Sequence, residues 1–359
     1  MLFRSTGLAE AVLALAASGQ EHLYHRVAAL FTYKQLLGVG ATPGLVGLVK
    51  DDAMREFALR ALADRTTELK DVPVQPFLDA LKDPNPRVRL QAMVGLQRLG
   101  AKDAAGAIAA AASGWPVDEA KLEEGAHYRL PHTAIHALEH LGNAQPLVAA
   151  AKDPAQRYIA LRSLQLIHSA EAVDGLIGLT KAGDDALRAG AIGALARLYH
   201  REKPWNYKDW WSTRPDDRGP YFIPEEWEAT PRIKAAIEAA YAKLPASLRM
   251  STLEVLARNR IAVTELKLEG LDPIRLAMAT QSLKASDVAL LVDSALSAKR
   301  PWSDRLDCYK ALGKLEGDAA IGPRVQVLAG WSKDKAAPAA VQQAINDFVN
   351  DGQIGRAHV

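Results

Sequence analysis

Four stretches decide the fold: DDAMREFALRAL (51–62), DPNPRVRLQAMVGL (83–96), DPAQRYIALRSL (153–164) and DDALRAGAIGAL (184–195). Each reads as an Asp-rich turn, then an Arg, then small-x-x-small-Leu. A fifth, HYRLPHTAIHAL (127–138), keeps the small residues and the Leu but has no Asp. The first small residues are Ala58, Ala92, Ala134, Ala160 and Ala191, which places the copies 34, 42, 26 and 31 residues apart. CYKAL, from Cys308 to Leu312, is a weaker copy. An Asp-Pro or Asp-Asp pair ends one helix and caps the next. Ala and Gly on the inner face let helices approach closely, and Leu fills the space between them. One such hairpin cannot bury its apolar face alone, so it stacks on copies of itself. Repeats of this length are those of HEAT-like units. The expected fold is all-α: a right-handed α-solenoid of HEAT-like helical hairpins.

Outward from the repeats, the chain falls into three parts. Residues 1–202 carry the repeats, 203–232 form an aromatic, Pro-rich insert, and 233–359 hold degenerate helical repeats such as LPASLRMSTLEVLARNR and DVALLVDSALS. AVTELKLEG (262–270) is a poorer helix and reads as a connection. The start, MLFRSTGLAEAVLALAASGQ, mimics a signal peptide, but Glu10 interrupts its apolar run. Ser5-Thr6 ahead of Leu8, Val12 and Leu15 predicts a capped first helix instead.

Composition narrows the function. The 359 residues hold 44 basic and 42 acidic side chains, well mixed, for a net charge of +2. No basic stripe suggests nucleic acid. No apolar run is long enough to span a membrane. Cys308 is the single cysteine, which excludes an intrachain disulfide, a CxxC pair, a Cys-rich zinc site and covalent haem attachment within these residues. It stands where other copies have Ala, so we read it as a small core residue.

The insert is the most unusual chemistry in the chain. KPWNYKDWWSTRPDDRGPYFIPEEWEATPR contains Trp205, Trp210, Trp211 and Trp227, with Tyr207, Tyr221 and Phe222. A segment of this length without periodicity is functional or packed on itself. Three readings stay open. Its rings clamp down on the helices, or they form a protein-docking surface, or they make a platform for a sugar. Aromatic and Arg side chains dominate binding hot spots, so the docking set is Trp205, Trp210, Trp211, Arg214, Arg218, Tyr221 and Trp227.

Two other groups of side chains are candidate sites. His132, His136 and His140 lie four residues apart, so each step drifts only about 40° around a helix and the imidazoles share a face. His at i and i+4 can hold a divalent metal, and HALEH matches the letters of a zincin helix. The stretch nonetheless occupies an ordinary repeat slot, and the primary reading is a polar face with no metal. Arg55, Arg87, Arg89, Arg157 and Arg188 recur near the starts of the second helices. They would line a groove for an acidic partner or, more simply, tie each repeat to the Asp of a neighbouring turn.

WWSTRPDDRGPYFIPEEWEATPRI resembles the W-W-x-T-R-P…G-P-Y…W-E element of PVC-type haem-binding CxxCH proteins. These large bacterial proteins combine a sugar-dehydrogenase-like propeller, a HEAT-repeat region and a cytochrome c domain. HTAIHALEHLG also resembles their repeats, and NDGQIGRAHV (350–359) resembles the lead-in to their haem motif. The resemblance implies that this chain is the HEAT portion, a spacer between an oxidoreductase-like module and a c-type cytochrome. It implies export or a periplasmic setting, with haem c only in a downstream domain. The matching positions are Trp210, Trp211, Thr213, Arg214, Pro215, Gly219, Pro220, Tyr221 and Trp227. No CxxCH and no propeller residues are present, so neither haem chemistry nor sugar oxidation passes to any residue of the chain.

The expected function is therefore a non-enzymatic scaffold with no cofactor of its own, whose partners are proteins or neighbouring domains. The alternative is an enzyme on a HEAT-like scaffold, metal-dependent or acting on nucleic acid. HEAT-like DNA glycosylases need a basic groove, against which the even charge mix speaks. Di-iron hydroxylases need His-Glu pairs in successive helices, which this sequence does not have in that order.

Overall fold

The computed structural model describes residues 6–114, 129–208, 223–262, 266–268, 274, 277–278, 283, 285–315, 317–334 and 338–350. The described chain is mostly helical, and its only strands are two residues each. It divides into two compact units, Met1–Ala182 and Gly183–Val359. That division falls one helix ahead of the insert rather than at it, because the helices flanking the insert pack directly on each other.

The first unit contains α1 (Thr6–Ala17), α2 (Leu23–Leu37), α3 (Thr42–Leu48), α4 (Arg55–Leu62), α5 (Gln75–Ala80), α6 (Pro86–Arg98), α7 (Ala105–Ala111), α8 (Arg129–Leu141), α9 (Ala144–Ala150), α10 (Arg157–Leu164) and α11 (Ala170–Leu179). Each odd helix pairs with the even helix after it, from α1 with α2 to α9 with α10. The even helices also pack in order, α2 on α4, α4 on α6, α6 on α8 and α8 on α10. On the odd side α7 packs on α9 and α9 on α11. The stretch expected as a first helix is one, and it packs on α2.

The repeat consensus explains this order. The small residue, the apolar residue after it and the Leu three further on are buried together, as Ala58, Leu59 and Leu62 in α4 and as Ala92, Met93 and Leu96 in α6. Each fully buried Leu or Met contributes about 1.5–3 kcal/mol. At some glycines a neighbour leaves no room for a side chain. A Cβ on Gly95 of α6 would run into the Phe77 ring of α5, and one on Gly175 of α11 would meet Val148 of α9.

The turns between hairpins repeat in atomic detail. The Asp51, Asp83 and Asp153 carboxylates accept from the backbone N–H two residues on, at 2.9, 2.8 and 3.0 Å. These are Asx turns, which set the chain's direction into the next helix. Asp184 instead caps its helix directly, accepting from the Leu187 N–H at 2.9 Å.

The second unit contains α12 (Asp185–Leu198), α13 (Thr230–Tyr241), α14 (Ala246–Arg258), α15 (Ala285–Leu296), α16 (Trp302–Leu312), α17 (Ile321–Trp331) and α18 (Ala339–Asn350). α12 packs on α13 and α14. Further on, α15 packs on α16 and α17, and α17 packs on α16 and α18. Leu291, Cys308, Leu312, Val327, Trp331 and Phe348 lie in the shared core of these last helices. Cys308 is wholly buried, in the place of the repeat Ala. Of the stretch expected as a connection, only residues 262 and 266–268 are described, and none is helical.

Candidate functional site

The helix-start arginines decide what kind of surface the repeats offer. In α4, Arg55 donates from Nε to the Val49 carbonyl at the end of α3 (3.0 Å) and from its fork to Asp83 in the next turn (2.7 Å). In α2, Arg26 does the same, donating to the Ala16 carbonyl at the end of α1 (3.0 Å) and pairing with Asp51 in the next turn. Arg89 donates to the Asp83 carbonyl (2.7 Å) and Arg157 to the Ala151 carbonyl (3.2 Å). Helix ends leave carbonyls without partners, and the guanidinium of the following helix supplies the missing donor. The same arrangement recurs in the second unit. Arg249 of α14 donates to the Leu244 and Ala242 carbonyls at 3.0 and 3.1 Å, and Arg305 of α16 donates to the Ala295 carbonyl at 2.8 Å.

The exception supports the rule. In α8 the equivalent position is Pro131, and Asp153 in the following turn accepts from the Gln156 side chain at 2.8 Å. Arg87 forms a two-pronged bridge to Glu56 of the preceding even helix, both contacts at 2.9 Å. Arg188 pairs with Asp185 on its own helix. Apart from that bond of Arg188, these contacts join one helix to another or to a neighbouring turn. Burial pushes the Asp51 carboxyl up, but hydrogen bonds from Arg26 and the Ala53 N–H, together with the Arg26 charge, hold it below its ordinary value.

The insert is closed at its root. Arg201–Glu202 (β1) pairs antiparallel with Pro224–Glu225 (β2), Arg201 opposite Glu225 and Glu202 opposite Pro224. The Lys203 N–H donates to the Ile223 carbonyl at 2.9 Å and extends the bridge. Below it, the end of α12 is capped by the last residues of the insert. Trp227 Nε1 donates to the Leu198 carbonyl at 2.7 Å, and the Thr230 hydroxyl donates to the Tyr199 carbonyl at 2.6 Å while accepting from the Trp227 N–H at 3.0 Å. Trp227 is buried, and the Arg201 guanidinium lies 4.0 Å above its ring. Burial pushes the neighbouring His200 imidazole below its ordinary value, and its ring meets Tyr199 edge-on.

Above the root the side chains face water. Trp205 is 47% exposed and Tyr207 84%, with ring centroids 4.7 Å apart at a 42° tilt. The Asn206 carboxamide accepts from the Lys208 N–H at 2.9 Å, and Tyr207 holds φ +62°. An aromatic residue at positive φ is a strained choice, of the kind found where a side chain is presented for use. Thus Trp227 is packed inward, and Trp205 is presented outward. Trp210, Trp211, Arg214, Arg218 and Tyr221 lie outside the described residues, as do the other positions of the family element between them.

His132, His136 and His140 share the exposed face of α8, opposite Ala134, Leu138 and Leu141. The first two rings lie 4.5 Å apart, and His136 Nδ1 is 3.2 Å from Glu139 Oε2. Among the described residues no group of three or more His, Cys, Asp or Glu side chains is placed to hold a metal ion. No helix among them is long and apolar enough to cross a membrane.

Sequence reasoning missed Arg26, Arg249 and Arg305. Their signal was present: an Arg three residues before the small core residue, here Ala29, Thr252 and Cys308. It also grouped Trp227 with the exposed aromatics, although a Trp three residues before Thr230-Pro231 at a helix start is placed to cap the helix before it. No protein-family model matches the sequence, and no curated protein matches it.

Proposed function

We propose that this chain is a non-enzymatic scaffold, a right-handed α-solenoid of HEAT-like hairpins that presents its insert to a protein partner. One observation carries the reading: an Arg in the same register reaches back to a carbonyl at the end of the preceding helix or in the turn after it, in hairpin after hairpin. Contacts of this kind make a body stiff over short distances, which suits a spacer. The docking surface is the outer part of the insert, with Trp205 and Tyr207 as its described members. The paired root holds them in place, so little order is lost when a partner arrives. From the resemblance to PVC-type haem-binding CxxCH proteins, the partners are an oxidoreductase-like domain and a c-type cytochrome domain of the same exported assembly.

Reading the gene beyond the codon for Val359 tests the assembly. A downstream CxxCH supports it, and a stop codon there overturns the spacer role. Docking is tested by titrating the purified downstream domain against the chain. Trp205→Ala combined with Tyr207→Ala should weaken binding by about tenfold or more with an unchanged unfolding curve. Unchanged affinity would remove the insert from the interface.

A further inference from the structure

A second surface, separate from the insert, has the chemistry of a small binding site. A cleft of about 440 Å³ is lined by α16, α17 and α18, within the size range of sites that enclose small ligands. Leu306, Ala340 and Ala344 supply its apolar surface, and Lys310 and Arg324 its positive charge.

Arg324 is held in an unusual way. Its guanidinium carbon lies 5.0 Å from the Tyr309 ring centroid and 4.8 Å from that of Phe348. Both rings are buried. Two aromatic faces orient the planar fork and strip part of its water, which prepares it for a carboxylate. Lys310 lies nearer the solvent, its side chain 75% exposed and its ammonium 3.8 Å from the half-exposed Asp307 carboxylate, a loose surface pair that leaves its other donors to a ligand. The cleft also holds Asp347, whose carboxylate accepts from Gln343 at 2.6 Å. A bare anion gains nothing from that group and is repelled by it. A ligand that carries an N–H donor beside its own carboxylate satisfies both signs of charge. The last residue of a peptide has that pair of groups on a single Cα, and an apolar side chain there would find Leu306, Ala340 and Ala344.

We propose that the cleft lined by α16, α17 and α18 binds the C-terminal residue of a partner polypeptide, with an apolar side chain. Arg324 and Lys310 take the carboxylate, Asp347 accepts from the amide N–H, and the Leu and Ala surface takes the side chain.

The experiment uses the full chain and three small probes in calorimetric titrations: N-acetyl-leucine, N-acetyl-leucinamide and 4-methylpentanoate. N-acetyl-leucine should bind saturably. The amide lacks the charge and the pentanoate lacks the N–H, so each should bind about tenfold more weakly or worse. Lys310→Gln alters an exposed side chain and should weaken N-acetyl-leucine severalfold with an unchanged unfolding curve. Ala344→Phe should fill the cleft and abolish the signal. Absence of saturable binding by about 10 mM overturns the proposal. So does an amide that binds as well as the acid, or a pentanoate that binds as well as N-acetyl-leucine. N-acetyl-leucine binding that survives both substitutions intact would place the probe elsewhere and also overturn it.

Discussion

Replacing Arg305 by Met should destabilise the second unit through one identifiable joint. Arg305 is 5% exposed, and its Nε donates to the Ala295 carbonyl at 2.8 Å. That carbonyl also accepts from Trp331 Nε1 at 2.9 Å, and the guanidinium lies 3.6 Å above the Trp302 ring. A hydrogen bond from a charged donor contributes about 1.5–3 kcal/mol. The stacked, partly dry cation adds about 1–2 kcal/mol. The contact to Asp334, at 3.6 Å with that side chain 35% exposed, adds less than about 1 kcal/mol. Met keeps most of the aliphatic volume and relieves the burial of charge, which offsets part of the loss. The expected net cost is about 2–4 kcal/mol. Lys should recover less than half of it, because its ammonium cannot stack and donate from a fixed fork together. Urea unfolding followed by circular dichroism measures the cost, and peptide-level hydrogen exchange locates it. Exchange should rise first at the end of α15, around Ser294–Ser297. A cost under about 0.5 kcal/mol, full rescue by Lys, or exchange changes confined to other helices would refute the argument.

Three further outcomes are expected. Trp227→Phe keeps a ring under Arg201 but removes the donor to the Leu198 carbonyl, and should cost about 1–3 kcal/mol by urea unfolding. Gly95→Ala should cost about 1–3 kcal/mol because the new Cβ meets Phe77, and adding Phe77→Leu should recover part of the loss in a double-mutant cycle. On acidification, two groups act in the same direction. Hydrogen bonds from Lys34 and Arg65 hold Glu68 below its ordinary 4.5, and burial holds His200 below its ordinary 6.5. In both cases the unfolded chain takes the proton first, so stability falls as pH drops below each ordinary value and on through the lower folded one. Glu68→Gln should flatten the curve at the more acidic end, and His200→Gln should flatten it just below neutral, both measured as unfolding midpoint against pH.

The hairpin pattern was legible because it rests on short-range rules. A small residue at a tight helix contact and an Asp in a turn have few substitutes, so Ala58, Ala92, Ala160 and Ala191 stand out against any background. The capping arginines were only half legible. Arg55 and Arg89 follow obvious Asp turns, whereas the helices of Arg26, Arg249 and Arg305 have His22, Pro245 and Pro301 at the N-cap in place of the Asp turn. What the Arg side chains touch was not legible, because the accepting carbonyls lie 5 to 10 residues away and carry no side-chain signature. Within the insert, composition marked out the aromatics but could not separate Trp227 from Trp205. That difference arises from the carbonyl at Leu198, which any residue would supply.

The guanidinium caps bear on how the chain assembles as it leaves the ribosome. Helices as brief as α5 and α9, at six and seven residues, cannot persist alone in water. Where the cap comes from the next helix, as Arg157 reaches back to α9, the earlier helix stays unfinished until its successor has been synthesised and folded against it. Order then grows two helices at a time, and fraying runs backwards by the same step.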